Sequence, residues 1–518
     1  MRVTHTRSTD GCVNCFKRHK KCDQKLPVCT DCLRLRTECV PRKKDDNRKV
    51  HRDIKDSPSS QVSPQFSSPE ATQQRHVPPI ESRSPNFNDW IALVDEDESA
   101  NRASRPNLSH SSALIYVPEL YKGQSLTDAT SSRQINALSK YTGFAADSVR
   151  DWSVGDRHLL NHFLQAISRA LVVGGDDMNP YLRYIAPMAF RSTAVRHALL
   201  TLSASHLSRV YPDFENDLLY HRSMVFDQLK LELERNGNTV HILATALLLC
   251  LLEICEGRSR KWLLHLRGSQ VLASQLPETD REPAAMFLAD LCRYLCCVTS
   301  VTSHLVPLPR SGLDRERGFD LGSPTTELHP LFGVCDAFYD VVALISKLRR
   351  EKRAREGRSD PTASQDMDTL MRALDGWSPP DTIGRSNEFG EAVAGAICMK
   401  WAAILYARWT LLGEQTTTSD QIQTATRSIL SELSLIRPGS HICTHLLFPL
   451  MMAGLGSFSK GDRLTVEYRL NLVEGLLGFG NITVLHKLLD EVWTRANRLE
   501  KVDWEYLLET TYPSLALI

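Results

Sequence analysis

From Leu160 onward the apolar positions fall at helical spacing. Leu160, Phe163, Leu164, Ile167 and Leu171 follow i, i+3, i+4, i+7 and i+11, and Asp156 is placed to cap the helix they predict. The same period recurs over Thr193–Val210, Asp217–Arg235, Thr239–Cys255, Lys261–Gln275 and Ala284–Val301, then over Cys335–Arg355, Glu388–Leu412, Gln421–Ile436 and Thr465–Arg498. Val/Ile/Thr alternation between hairpin turns is missing, so a large all-α region is predicted over residues 134–518. Thr239–Cys255 is the most apolar stretch, but His241 and Glu253 interrupt a run too short to cross a bilayer. It is read as a buried helix, and no membrane partner is expected.

Upstream the pattern is lost. In residues 57–85, Ser, Pro and Gln account for 18 of 29 positions, too little apolar mass to offset chain entropy. Residues 44–133 are therefore read as a disordered linker, with Ser-Pro pairs at Ser57, Ser63, Ser68 and Ser84 as candidate phosphorylation sites. No heptad pattern follows Lys43, so dimerisation is assigned to the C-terminal region or is absent. Within the linker, Phe87, Trp90, Ile91 and Val94 share a helical face just before Asp95-Glu96-Asp97-Glu98. Residues 86–98 have two readings: an acidic activation segment that offers its apolar face to a transcriptional coactivator, or a helix docked on the chain's own C-terminal domain.

The densest chemistry lies in residues 8–43. Cys12, Cys15, Cys22, Cys29, Cys32 and Cys39 are spaced C-x2-C-x6-C-x6-C-x2-C-x6-C, two near-identical halves. Thiolates two residues apart can share one tetrahedral zinc, and six can hold two zinc ions if two sulfurs bridge. Met1 to Thr9 is polar and basic, without the apolar core of a secretion signal, which argues against a disulfide framework. A finger with histidine ligands would need more than His19. About thirty residues cannot bury enough apolar area to fold alone, so metal must hold the segment together.

These residues resemble the fungal binuclear zinc-cluster DNA-binding domain. The likeness extends to Cys22-Asp23, to Pro27, and to Cys29-Thr30-Asp31-Cys32-Leu33-Arg34. It implies that Cys12 and Cys29 bridge two zinc ions, that Cys15 and Cys22 complete one tetrahedron, and that Cys32 and Cys39 complete the other. Lys17, Arg18, His19, Lys20 and Lys21 are read as a short helix, which the family inserts into the major groove of double-stranded DNA. By the same resemblance Arg18 and His19 face base edges of CGG-type triplets, where Arg suits guanine O6 and N7. Arg34 extends the phosphate contacts. His19 stands where a lysine or arginine is usual, and Phe16 where a basic residue is usual. The bland alternative is that the basic run touches only phosphates.

The helical region carries a second resemblance, to the fungus-specific transcription factor regulatory domain. Ala198-Leu199-Leu200-Thr201-Leu202-Ser203-Ala204-Ser205-His206-Leu207 is similar to its first helical signature, and Trp262-Leu263-Leu264-His265-Leu266-Arg267-Gly268-Ser269 to its second. Beyond Val301 the likeness thins to general helical character.

Charge agrees with this division. Residues 1–55 hold 16 Lys and Arg against 7 Asp and Glu, a formal +9, whereas the whole chain is +1, so the remainder carries −8. Six thiolates on two zinc ions subtract two, and the surplus still marks a nucleic-acid footprint at one end. Arg42, Lys43 and Lys44 suit nuclear import.

GxGxxG after a strand, the P-loop, HExxH and the nucleophile elbow are all missing, so the chain is read as no enzyme. His206 and His265 lie on apolar helices, where a histidine is usually core. Cys292, Cys296 and Cys297 are read as small core hydrophobes before redox sensors, and His441, Cys443 and His445 alternate like an extended metal site that lacks a fourth ligand. The expected protein is a nuclear, zinc-dependent, sequence-specific regulator of RNA polymerase II genes, an activator of a metabolic or secondary-metabolite pathway. Its helical domain is expected to sense a small-molecule effector or a partner. A repressor or DNA-tethered scaffold is the alternative.

Overall fold

The computed structural model describes Cys32, Val149 and residues 151–276, 282–308, 319, 321, 325, 327–355, 361–413 and 417–518. All but Cys32 fall in the second of two units into which the chain divides, Glu81–Ile518. The described residues contain no strand, and one isolated bridge pairs His329 with Gly333. The segments read as linker and acidic activation segment lie outside the described residues.

The first helix, α1 (Val154–His162), is capped one turn earlier than its apolar pattern suggests. The Ser153 hydroxyl accepts from the Asp156 N–H at 3.0 Å and donates to the Asp156 carboxylate at 2.7 Å. Ser153 is thus the cap, and Asp156 is its third-position partner in a box-like arrangement. A π-helical turn, Phe163–Ile167, continues α1. There follow α2 (Thr193–Ser208), α3 (Glu215–Glu234), α4 (Thr239–Glu256), α5 (Trp262–Ser274) and α6 (Pro283–Thr299). The second half comprises α7 (Ala337–Ala354), α8 (Pro361–Gly376), α9 (Asn387–Ala407), α10 (Asp420–Leu433) and α11 (Leu447–Gly456). The last helices are α12 (Lys460–Leu477), α13 (Gly480–Asn497) and α14 (Trp504–Thr510).

Three of these were not read from periodicity. α11 is apolar all round and every residue in it is buried, so no polar face marks it in sequence. α8 and α14 were also missed, and the single pattern over Thr465–Arg498 is two helices, broken at Gly478. That glycine sits at φ +66° and closes α12 by a left-handed turn, donating its N–H to the Glu474 carbonyl.

α4 is the axis of the core. Asn238 caps it through the N–H groups of Val240 and His241, and every residue from Ile242 to Cys255 is buried. α2 and α5 pack along it. At 18 residues α4 is long and apolar enough to span a bilayer, as is Asn387–Leu412, contrary to the reading from Thr239–Cys255. Both are covered by protein instead, with 78% of each apolar window buried. Each fully buried Leu or Ile contributes about 1.5–3 kcal/mol, so a helix with this many is held by its neighbours.

The two halves meet where α4 ends and α13 begins. A Cβ on Gly480 would lie 2.2 Å from the Glu256 carbonyl oxygen, and one on Gly257 would lie 2.6 Å from the Gly480 carbonyl carbon. Only glycine lets these backbones approach so closely. Gly480→Ala is therefore expected to destabilise the domain by about 2–3 kcal/mol, because the obstructing atoms are backbone. Gly390→Ala, which meets nothing within 4 Å, should be neutral or stabilise by up to about 1 kcal/mol. Thermal melts of the two variants against the parent check both signs.

Candidate functional site

Of the residues expected to hold metal, Cys32 alone is described: it is helical and fully buried. Cys12, Cys15, Cys22, Cys29 and Cys39, and the expected DNA-contacting residues Lys17, Arg18, His19, Lys20, Lys21 and Arg34, lie outside the described residues. Six cysteines in this compass remain a donor set chemically suited to zinc, since thiolate is the ligand that structural zinc prefers.

Within the helical domain the polar groups form buried networks. Arg222 on α3 pairs with Glu253 and, at 3.2 Å, with Glu256, both on α4. Ser259 donates to Glu253 at 2.6 Å and Ser205 to Glu256 at 3.0 Å. Glu253, which interrupts the apolar run in sequence, is thus a satisfied ion between three elements. A second network joins Ser300, Ser346, Tyr406 and Arg349 across α6, α7 and α9 through bonds of 2.8–3.0 Å.

His206 belongs to a chain of hydrogen bonds. Its Nε2 lies 2.9 Å from the Leu477 carbonyl, which can only accept, so Nε2 carries the proton. Its Nδ1, 3.0 Å from His162 Nε2, is then the acceptor, and His162 donates from Nε2. Burial pushes His206 down to about 4, and the same cause holds His162 well below its ordinary range. His265 is buried and stacks on Phe226 at 6.4 Å between centroids. Both are structural in position.

The cysteine trio is also core. Cys292, Cys296 and Cys297 are buried; the Cys296 thiol is raised by its hydrogen bond with Cys292 and by burial, and Cys297 by burial. Thiols so raised are inert as thiolate sensors. His441–His445 is a 3-10 helix rather than an extended strand. In it His445 Nδ1 bonds the Tyr339 hydroxyl at 3.0 Å, and no group of three potential ligands forms a metal site among the described residues.

One cavity of about 200 Å³ opens beside the His206 chain. Its walls come from the turn after α1, from the end of α2, from residues 439–444 and from the end of α12. Nothing in the sequence pattern joins these segments, and no reading of periodicity finds the cavity.

Two family profiles match the chain. Residues 158–516 match the fungal specific transcription factor domain, and residues 10–49 match the fungal Zn(2)-Cys(6) binuclear cluster domain. The chain belongs to this family of fungal transcription factors. The chain is also similar to the transcriptional activator protein UGA3 of Saccharomyces cerevisiae, 23% identical over 276 residues, which cover 50% of this chain and 43% of that protein. It thus spans less than half the length of that relative. The binuclear cluster domain binds two zinc ions, and the chain is a zinc-binding, DNA-binding transcription factor. The matched families are those of transcription factors and not of an enzyme.

Buried histidines held below their ordinary range, His197, His206 and His445 among them, give the helical domain a pH signature. Burial lowers His206 and His197 to about 4 and His445 to about 3 from 6.5. These rings are neutral when folded, while the unfolded chain takes up protons below 6.5. Stability is therefore complete above that pH and falls as pH drops from 6.5 toward 4, by at most about 1.4 kcal/mol per pH unit per histidine. The denaturation midpoint read from tryptophan fluorescence should be lower at pH 5 than at pH 7.5; an unchanged midpoint would contradict the neutral assignment.

Proposed function

We propose that the chain is a nuclear activator of RNA polymerase II genes, which reads CGG-type DNA triplets with the basic helix after Cys15. Cys12, Cys15, Cys22, Cys29, Cys32 and Cys39 hold the two zinc ions in this reading, and Arg18 addresses guanine while Lys17, Lys20, Lys21 and Arg34 grip phosphate. His19 sits beside Arg18 and shifts base preference. The observation that carries the reading is the six-cysteine spacing around a basic run, in a chain whose net charge is +9 over residues 1–55 and −8 beyond. The printed name of the yeast relative, a transcriptional activator, favours activation over repression.

Residues 86–98 supply the activation segment and meet a coactivator through Phe87, Trp90, Ile91 and Val94. The helical domain provides effector control and any self-association. The domain limits are taken as 8–43 for the cluster, 44–133 for the linker and 134–518 for the regulatory domain.

Arg18→Ala should leave the module folded and cost about 1–3 kcal/mol on a CGG site with little change on unrelated DNA. Mobility shifts on both DNAs check this, and equal losses on the two would assign Arg18 to phosphate alone. Fusion of residues 86–100 to an unrelated DNA-binding domain should induce a reporter; silence would favour the repressor or scaffold alternative.

A further inference from the structure

The 200 Å³ cavity beside His206 is the strongest unassigned feature of the helical domain. Its size decides what it can hold. An apolar cavity of about 150 Å³ takes a benzene ring, whereas sites for drug-sized molecules run to roughly 300–1,000 Å³. A single ring or short branched chain with one polar head fits; a nucleotide or a polycyclic molecule does not.

Lining chemistry decides the head. Ala166, Ile167 and Ala170 form one apolar wall, and Leu476 and Leu477 form another. The polar members are mostly committed: Ser440 donates to Glu391 at 2.7 Å, Thr444 donates to the His441 carbonyl at 3.2 Å, and His206 is saturated by His162 and Leu477. Two groups are left. Arg169 uses Nε and Nη2 on Asp176, at 2.8 and 2.6 Å, which leaves Nη1, and the His441 imidazole has no hydrogen-bond partner among the described residues. Both offer N–H donors, and no carboxylate lines the cavity to receive an ammonium group.

We propose that this cavity binds a small monocarboxylate with an apolar body, its carboxylate between Arg169 and His441 and its body against Ala170 and Leu477. A carboxylate makes charge-assisted bonds to such donors, stronger than those a hydroxyl or amide makes. The site also lies across a seam. Its walls belong to segments some 270 residues apart in the chain, as the His206–Leu477 bond shows, so occupancy ties the first helices of the domain to α12. This assignment deepens the reading of the chain as an effector-controlled regulator and rests on it for its purpose, although binding itself requires no DNA.

The test uses the full-length, zinc-loaded protein and three probes of similar size: benzoate, benzyl alcohol and benzylamine. Titration calorimetry should show benzoate binding at least about tenfold more tightly than benzylamine, with benzyl alcohol between them. Ala170→Phe fills the cavity and should abolish benzoate binding. His441→Leu, at a partly exposed position, removes the donor and tests the head contact should the filled variant fail to fold, and should weaken benzoate about tenfold and benzyl alcohol less. No benzoate binding at millimolar concentration, benzylamine as the preferred probe, or undiminished benzoate binding by either folded variant would overturn the proposal. A mobility shift on the same preparation separates the two readings: DNA binding without benzoate binding defeats the cavity alone, and benzoate binding without DNA binding supports the cavity and defeats the DNA reading.

Discussion

The helical domain depends on one corner, the turn from α12 into α13. Within five residues, Leu477 offers its carbonyl to His206, Gly478 turns left-handed against the same ring, and Gly480 lies against the end of α4. Asn481 then reaches out to the carbonyls of Ala516 and Ile518, at 2.9 and 3.0 Å. Each contact needs the others. The left-handed turn admits no strain-free side chain at Gly478, and the backbone approach at Gly480 admits none at all. Helices far apart in sequence are therefore locked by a turn whose two glycines leave no room for a side chain.

Around that corner, polar groups restrict how the core can pack. A Leu-rich helix such as α4 slides readily against its neighbours, since apolar packing alone is non-directional. Arg222 with Glu253 and Glu256, and the serine-tyrosine-arginine network between α6, α7 and α9, penalise any arrangement that leaves an ion or hydroxyl unpaired. The N-terminal module lies at the opposite extreme. It is too short for a core, and metal coordination takes the place of apolar burial.

How much of this was legible in the sequence differs by element. The cluster was plain because ligand chemistry fixes residue type and spacing together, and Cys12 to Cys39 keep both. Long amphipathic helices such as α6, α7 and α10 were plain through their 3.6-residue period. The signal failed where the period is hidden: α11 is apolar on every side, and α12 and α13 read as one helix because Gly478-Phe479 interrupts the pattern for a single turn. The Leu477-Gly478 pair was the available clue, as glycine just beyond a helix is the commonest stop. Ser153 was likewise visible three residues before Asp156. The cavity was beyond reach of any local rule, because Ala170, His441 and Leu477 meet only through tertiary packing.

DNA recognition by this chain depends, in the proposed reading, on two structural metals. Zinc counted per chain, together with the mobility of a CGG-containing duplex before and after chelation, tests it most directly. The account predicts two zinc ions per chain, and loss of the shifted band on chelation with recovery when zinc is returned. One ion or none in active protein, or a shift that survives removal of the metal, would contradict it.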